Sequence, residues 1–308
     1  MPMKVLLCND DGVDAPGLLA LYKSISQIAE TLVVAPATER SAVGHGISVY
    51  NPITLRKHIR EELEWGYGLD GTPADCVKMA LTTIMKDGPP DLVISGINRG
   101  QNTGTSILYS GTVAAALEAT MSGIPAIAIS QALWVTDPNP NAPGVAAPTH
   151  TSDIVTALAR IPADYTAAAN FARRLAIQVH QNGLPPGVLL NVNVPMLPEE
   201  KIAGSAISKM GRSIFVDQFQ VVSECDGETC YRNVGDRLIQ SPDGDDWDDL
   251  VLQQGKISIT PLHYDMTHHD FLQSLRTWAL EEAEDAREAS KQVAASLAAP
   301  LQADVSED

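Results

Sequence analysis

Apolar positions along the chain follow two rhythms: short unbroken apolar runs alternate with longer stretches in which they return every three or four residues. The first run, Lys4 to Cys8, stops at Asn9-Asp10-Asp11-Gly12. Leu18, Leu21, Tyr22, Ile25 and Ile28 then recur at helical spacing, so strand, loop and helix follow in that order. Asp14 is expected to cap this helix, and Pro16 suits its first turn because no donor is needed there. The same pattern predicts strands over 31–36, 91–95, 125–130 and 187–194, helices over 74–85, 113–121 and 165–181, and an edge hairpin over 47–55. Strands that are apolar throughout are covered on both faces, and strands alternating with helices imply right-handed crossovers. The predicted fold is α/β: a three-layer α/β/α, Rossmann-like, doubly wound, mostly parallel sheet.

Beyond about residue 200 the rhythm changes. From Ser208 to Arg232 the alternation has period two, with Ile214, Val216, Phe219 and Val221 among polar partners, which predicts a β-hairpin arm. An acidic turn over 243–249, a strand over 256–261 and a helix over 269–280 follow. The predicted organisation is therefore a core over 1–200, an arm of hairpin, strand and helix over 201–280, and an acidic, Ala-rich tail over 281–308 expected to be frayed. A Pro-rich stretch over 137–148 reads as an exposed insertion in the core. Apolar side chains on an arm have no core of their own, so the arm predicts oligomerisation.

Composition narrows the function. The net charge of −17 and the lack of any basic run argue against a nucleic-acid polymer as partner. No apolar stretch is long enough for a membrane span, and the N-terminal run is too short for a signal peptide, so a cytoplasmic location is expected. The four cysteines agree: Cys8 and Cys76 sit in apolar patterns as small hydrophobes, and the close pair Cys225 and Cys230 is expected to be free thiols.

In open α/β sheets ligands bind beyond the carboxyl ends of the strands. There stand Asp10 and Asp11 after the first strand, Arg40-Ser41 after the second, and Ser95-Gly96-Ile97-Asn98 after the third buried one. Adjacent carboxylates repel, and a cation is what lets them converge. Asp, Asn and Ser oxygens with no Cys or His nearby favour a hard ion, Mg²⁺ or Mn²⁺, over Zn²⁺. A solvated turn would also explain Asn-Asp-Asp-Gly. On the same rim Ser110-Gly111-Thr112 opens a helix and offers hydroxyls and unpaired N–H groups to an anion, and ordinary N-capping by Ser110 or Thr112 would explain it equally well.

Several spaced motifs together carry a family resemblance. They are Asn9-Asp10-Asp11-Gly12 with Pro16-Gly17, Ala35-Pro36 with Arg40-Ser41, Gly71-Thr72-Pro73 with Cys76-Val77, Ser95-Gly96-Ile97-Asn98 with Gly100 and Asn102, and Ser110-Gly111-Thr112. In order over residues 4 to 130, and taken up again by Asn191 to Pro195 and Ser258 to His263, they resemble the SurE family of survival-protein phosphatases. The resemblance implies a metal-dependent phosphomonoesterase acting on nucleoside 5′-monophosphates, often on 3′-monophosphates, and in some members on short polyphosphate. It implies one divalent cation per subunit on Asp10, Asp11, Ser41 and Asn98, with Asp10 and Asp11 also catalytic. Phosphate would meet Asn98, Asn102, Ser110, Gly111 and Thr112. It further implies a homodimer or homotetramer built by exchange of C-terminal arms. His45, in the loop after Ser41, is expected to be an exposed loop residue, and His263 to be structural.

Other classes fit less well. A receiver-like signalling module needs an isolated acceptor Asp after the third strand and a Lys after the fifth, and neither stands out. A dinucleotide-binding oxidoreductase needs Gly-x-Gly-x-x-Gly after the first strand, where this chain carries acids that repel a pyrophosphate. A metal-stabilised structural oligomer would share every feature except turnover.

Overall fold

The computed structural model describes residues 2–60, 63–133, 163–234, 237–239, 241, 244 and 246–278. The Pro-rich stretch over 137–148 and the tail beyond 280 lie outside the described residues. The chain divides into two units, Met1–Tyr264 and Asp265–Asp308.

The first unit is built on one nine-stranded sheet. Its strands are β1 (Lys4–Cys8), β2 (Glu30–Pro36), β3 (Leu55–Arg60), β4 (Leu63–Leu69), β5 (Leu92–Arg99), β6 (Ala126–Gln131), β7 (Val188–Val194), β8 (Ser205–Ile207) and β13 (Ile257–His263). They lie in the order β3-β4-β2-β1-β5-β6-β7-β13-β8. Pairing is parallel from β4 through β7 and antiparallel only at β3–β4 and β7–β13. The sheet thus takes β8 and β13 from beyond residue 200.

Strand β1 shows why the sheet has helices on both faces. Val5 and Leu7 join one apolar cluster with α1 (Pro16–Ile25) and α4 (Thr166–Asn182), while Leu6 and Cys8 join the other with α2 (Pro73–Met79) and α3 (Gly111–Met121). All four side chains are fully buried, which is the period-two geometry of a strand sandwiched between layers. Against α3 the packing surface is Ala115, Ala116 and Ala119, small enough to bring helix and sheet close.

Local expectations are amended in four places. The N-cap of α1 is Ala15, with no side-chain cap, because Asp14 instead accepts a hydrogen bond from His58 Nε2 at 2.8 Å. The second helix changes at Ala80 into a π-helical turn over Ala80–Ile84. The edge hairpin is β3–β4, and no strand forms over 47–53. Ser48 donates through its amide and hydroxyl to Asp75 at 2.9 and 2.8 Å, tying that segment to the start of α2 instead of to a neighbouring strand. Within the expected acidic turn, Asp248 and Asp249 are buried and open α5 (Asp248–Gln253).

Outside the sheet, β10 (Phe219–Cys225) and β11 (Glu228–Asn233) form an antiparallel hairpin, and β9 (Ile214–Val216) pairs with β12 (Arg237–Ile239). Cys8 and Cys76 are buried free thiols, and Cys225 and Cys230 are exposed free thiols. The second unit contributes α6 (His269–Arg276), whose first turn is capped by His268 Nδ1 accepting from the Phe271 amide at 3.1 Å. Among the described residues no helix is long and apolar enough to cross a membrane.

Candidate metal centre and its cleft

The chain runs from β1 to β2 on one side and places β5 on the other side of β1, so the strand order reverses between β1 and β5. A crevice opens at such a point beyond the carboxyl ends of the strands. Asp10 and Asp11 follow β1 after Asn9, and Asn98 lies near the end of β5.

Three local devices bring the loops together. Asn9 closes the first loop on itself, donating from Nδ2 to Gly12 O at 2.9 Å and accepting from the Gly12 amide at 3.2 Å. Gly12 has φ +105°, a conformation that glycine takes without steric cost. The loop after β2 is latched to it, with the Arg40 amide donating to Asp10 O at 2.7 Å, which delivers Ser41. In β5 the register slips: Ser95 faces Ala128 but Asn98 faces Ser130, so three residues advance against two. Such a bulge re-aims the side chain that follows it.

The resulting cleft has a volume of 830 Å³ and is lined by Asp10, Asp11, Ser41, Asn98, Asn102 and Ser110 among others. Six of the eight residues expected at the site therefore share one cavity. Gly111 and Thr112 are outside its lining; both are buried, Thr112 fully. The hydroxyl and amide of Thr112 both donate to Asp10, so this residue serves the carboxylate and is not turned to an anion in the cleft. Gly111 is needed for that approach, since a Cβ there would lie 2.8 Å from Asp10 Cβ and 3.0 Å from Pro73 Cγ. Ser110 caps α3 by accepting from the Val113 amide at 3.1 Å, which leaves its hydroxyl hydrogen for the cleft.

Electrostatically the centre is short of positive charge. Burial pushes the Asp10 carboxyl above its ordinary value, against the Thr112 donors. Burial, then the neighbouring Asp10, pushes Asp11 up to about 7, and Glu39 adds to this while the Arg99 amide, 3.1 Å from Asp11 Oδ2, opposes it. Among the described residues no three His, Cys, Asp or Glu side chains are placed to hold a metal ion by themselves, so a cation here needs the neutral oxygens as well. They are present. Asn98 spends its Nδ2 on Gly100 O at 2.7 Å, leaving its Oδ1, and Ser41 donates to Glu39 at 2.6 Å, leaving its lone pairs. Two carboxylates, an amide oxygen and a hydroxyl are a hard donor set, and the residues fit Mg²⁺ or Mn²⁺.

Several cleft residues had no signal in the sequence. Glu39 and Arg99 flank expected ligands but carry no motif of their own. Tyr109 precedes the Ser110-Gly111-Thr112 motif without belonging to it. Leu133, Ile214, Asp217 and Asn233 come from distant segments and meet the cleft only through the fold. His45 is surface-exposed as expected, yet its ring is engaged: Nε2 lies 2.9 Å from Glu118 Oε2, and Lys78 Nζ lies 2.7 Å from Glu118 Oε1. His263 closes β13 opposite Val188 and packs on Tyr264, apart from the cleft lining.

Comparison with known proteins accords with this geometry. The family model for survival protein SurE matches residues 5–217. The 5′-nucleotidase SurE of Symbiobacterium thermophilum is 43% identical over 279 residues, covering 90% of this chain and 98% of its own. That of Heliobacterium modesticaldum is 40% identical over 278 residues, covering 90% of this chain and 92% of its own. The crystal structure of the SurE protein from Aquifex aeolicus superposes with a TM-score of 0.70 at 29% identity, covering 89% of this chain and 99% of that one. With matching motifs, the same sheet and relatives aligned over nearly their whole length, the chain belongs to the SurE family.

Proposed function

We propose that this protein is a 5′-nucleotidase that hydrolyses nucleoside 5′-monophosphates, and also 3′-monophosphates, to nucleoside and phosphate. The observation that carries the reading is the convergence of Asp10, Asp11, Ser41 and Asn98 on one cleft of 830 Å³, in a family whose relatives include 5′-nucleotidases. Those four residues would hold one Mg²⁺ or Mn²⁺ per subunit. When bound, such an ion supplies charge for the phosphoryl oxygens and acidifies water.

The chain's own residues do the rest. In the overall reaction the P–O ester bond breaks, water supplies the new oxygen on phosphorus, and the leaving alkoxide takes a proton. Thr112 orients Asp10 through its hydroxyl and amide, keeping the carboxylate fixed while charge builds on the phosphoryl group. Asp11 lies in the same crevice, where burial gives it a carboxyl able to hold a proton near neutrality until a cation replaces it. Ser110 and Asn102 line the cleft as donors for phosphoryl oxygens. Asn102 is rigidly placed: its amide donates to Asn193 Oδ1 at 2.7 Å, and its side chain donates to Ser130 at 2.9 Å.

The arm supports assembly into a homodimer or homotetramer. Every residue of β10 and β11 is exposed, including Phe219, Val221, Val222 and Tyr231, each more than half exposed. Apolar side chains on a two-stranded ribbon gain stability only when another surface covers them. The four free thiols fit a cytoplasmic location.

The decisive experiment measures phosphate release from a panel of nucleoside 5′- and 3′-monophosphates with Mg²⁺, Mn²⁺ or EDTA, beside Asp10→Ala and Asp11→Ala. Metal-dependent release that both substitutions abolish supports the reading. Absence of release from every nucleotide with either metal refutes it.

A further inference from the structure

The cleft is larger than its metal end requires. At 830 Å³ it lies in the range of about 300–1,000 Å³ typical of pockets that enclose a whole small molecule. A phosphate group at Asp10, Asp11, Ser41 and Asn98 accounts for only part of it.

The remaining lining comes from outside the sheet. Tyr109 lies at the end of the 3-10 turn Gly104–Tyr109 and is 65% exposed. Strand β9 runs beside that turn: the Thr105 amide donates to Ser213 O at 3.1 Å and its hydroxyl to the same oxygen at 2.8 Å. This fixes Ile214 on the wall. Just past β9, Asp217 accepts a hydrogen bond from Asn233 Nδ2 at 2.6 Å, joining β9 to the end of β11. Asp217 and Asn233 both line the cleft that contains the two catalytic carboxylates.

The chemistry of that second set is selective. A nucleoside offers hydroxyl and N–H donors and an aromatic face. Asp217 can only accept, so it pairs with such donors, and Tyr109 and Ile214 offer apolar surface to a base. A chain of phosphates at the same place offers only acceptors and negative charge, so it meets a carboxylate with repulsion. Among the described residues the lining carries four carboxylates, Asp10, Asp11, Glu39 and Asp217, against the single guanidinium of Arg99. A cation at Asp10 and Asp11 offsets the first two, leaving Asp217 to act on whatever extends from the phosphoryl group.

We infer that Asp217, held by Asn233 and sharing the cleft wall with Tyr109 and Ile214, is the specificity subsite for the nucleoside half of the substrate, and that its carboxylate excludes short polyphosphates. The inference rests on the phosphatase reading above and deepens it. It assigns the arm a part in substrate choice.

The test compares three substrates: AMP, inorganic tripolyphosphate, and ethyl phosphate, which carries the reacting group and almost nothing beyond it. The measure is kcat/KM for AMP and for tripolyphosphate, each divided by that for ethyl phosphate. With Asp217→Asn the AMP ratio is expected to fall about tenfold, the scale of one hydrogen bond to a charged group. With Asp217→Lys the tripolyphosphate ratio is expected to rise by at least as much. Tyr109→Ala should lower the AMP ratio without raising that for tripolyphosphate. Both side chains are exposed, so these variants keep the core intact. If the wild-type protein turns over ethyl phosphate and AMP but neither ratio moves in the Asp217 variants, the subsite is wrong and the phosphatase reading stands. If the wild-type protein turns over none of the three with either metal, both readings fall together.

Discussion

The carboxylate of Asp10, immediately after the first strand, accepts the hydroxyl of Thr112 in the first turn of α3, across 102 positions of chain. A loop acid and a helix end that the sequence suggests as separate cation and anion sites are thereby one unit. The bond also accounts for the glycine between Ser110 and Thr112, because only a residue without a Cβ lets the helix approach Asp10 so closely.

Thr112→Val keeps the shape and removes the donor. Asp10 is 5% exposed and cannot recover that bond from bulk water, so stability is expected to fall by about 1–3 kcal/mol in urea unfolding. Phosphatase kcat/KM should drop on the order of tenfold or more, because the carboxylate loses its fixed orientation. Thr112→Ser, which restores the hydroxyl, should recover most of both.

Gly111→Ala tests the same contact by steric means. The new methyl would press on Asp10 and Pro73, and neither is the far end of a flexible side chain. Overpacking of this kind costs about 1–3 kcal/mol. Thermal unfolding should show the loss, and activity should fall further than stability alone explains, since Asp10 is displaced directly.

The fold, and the meeting of Asp10, Asp11, Ser41 and Asn98 in one cleft, are legible because both depend on local order. In β1 the run Val5-Leu6-Leu7-Cys8 announces burial on both faces, and Asp10 and Asp11 stand where the strand has to end. What escaped are residues whose partners lie far along the chain. Asp14 looks like a helix cap, but His58 takes its carboxylate. Asp248 and Asp249 look like a solvated turn, yet both are buried and collect backbone amides. Asp217 carries no motif at all, and it reaches the cleft only because β9 packs beside the 3-10 turn. The change of rhythm near residue 200 suggests an end to the core there, yet β13 returns to pair with β7 in the main sheet.

Glu118 gives the protein a defined acid sensitivity. Burial alone would raise its carboxyl, but the hydrogen bonds from His45 and Lys78, with the charge of Lys78, hold it below the ordinary 4.5. A depressed folded value means that the stabilisation is complete above the unfolded value of 4.5 and is lost as the pH falls through the folded value beneath it. Glu118→Gln should therefore be less stable than the wild type by about 1–2 kcal/mol above pH 5, a figure reduced for the partial exposure of its partners. The two should converge as the pH drops well below 4.5. Urea unfolding across that range checks the sign, and a gap that widened on acidification would contradict it.

Asp248 is the keystone of the wall that faces the nucleoside subsite. Its Oδ1 accepts from the Gly211 amide at 2.9 Å and the Asp249 amide at 2.8 Å, and both oxygens lie 3.1 Å from the Gly104 amide. Gly104 begins the 3-10 turn that ends at Tyr109, and Gly211 leads into β9, so one buried carboxylate sets the spacing of the two segments that carry Tyr109 and Ile214. Asp248→Ala leaves three amide hydrogens unpaired in the interior, at about 1–3 kcal/mol for each that water fails to reach. Global stability should fall by about 3 kcal/mol or more in urea unfolding. At a temperature where the variant remains folded, KM for AMP is expected to rise while kcat/KM for ethyl phosphate changes less, because Asp10, Asp11, Ser41 and Asn98, the proposed metal ligands, lie on other loops. An equal loss on both substrates would mean that Asp248 supports the whole cleft and not this wall alone.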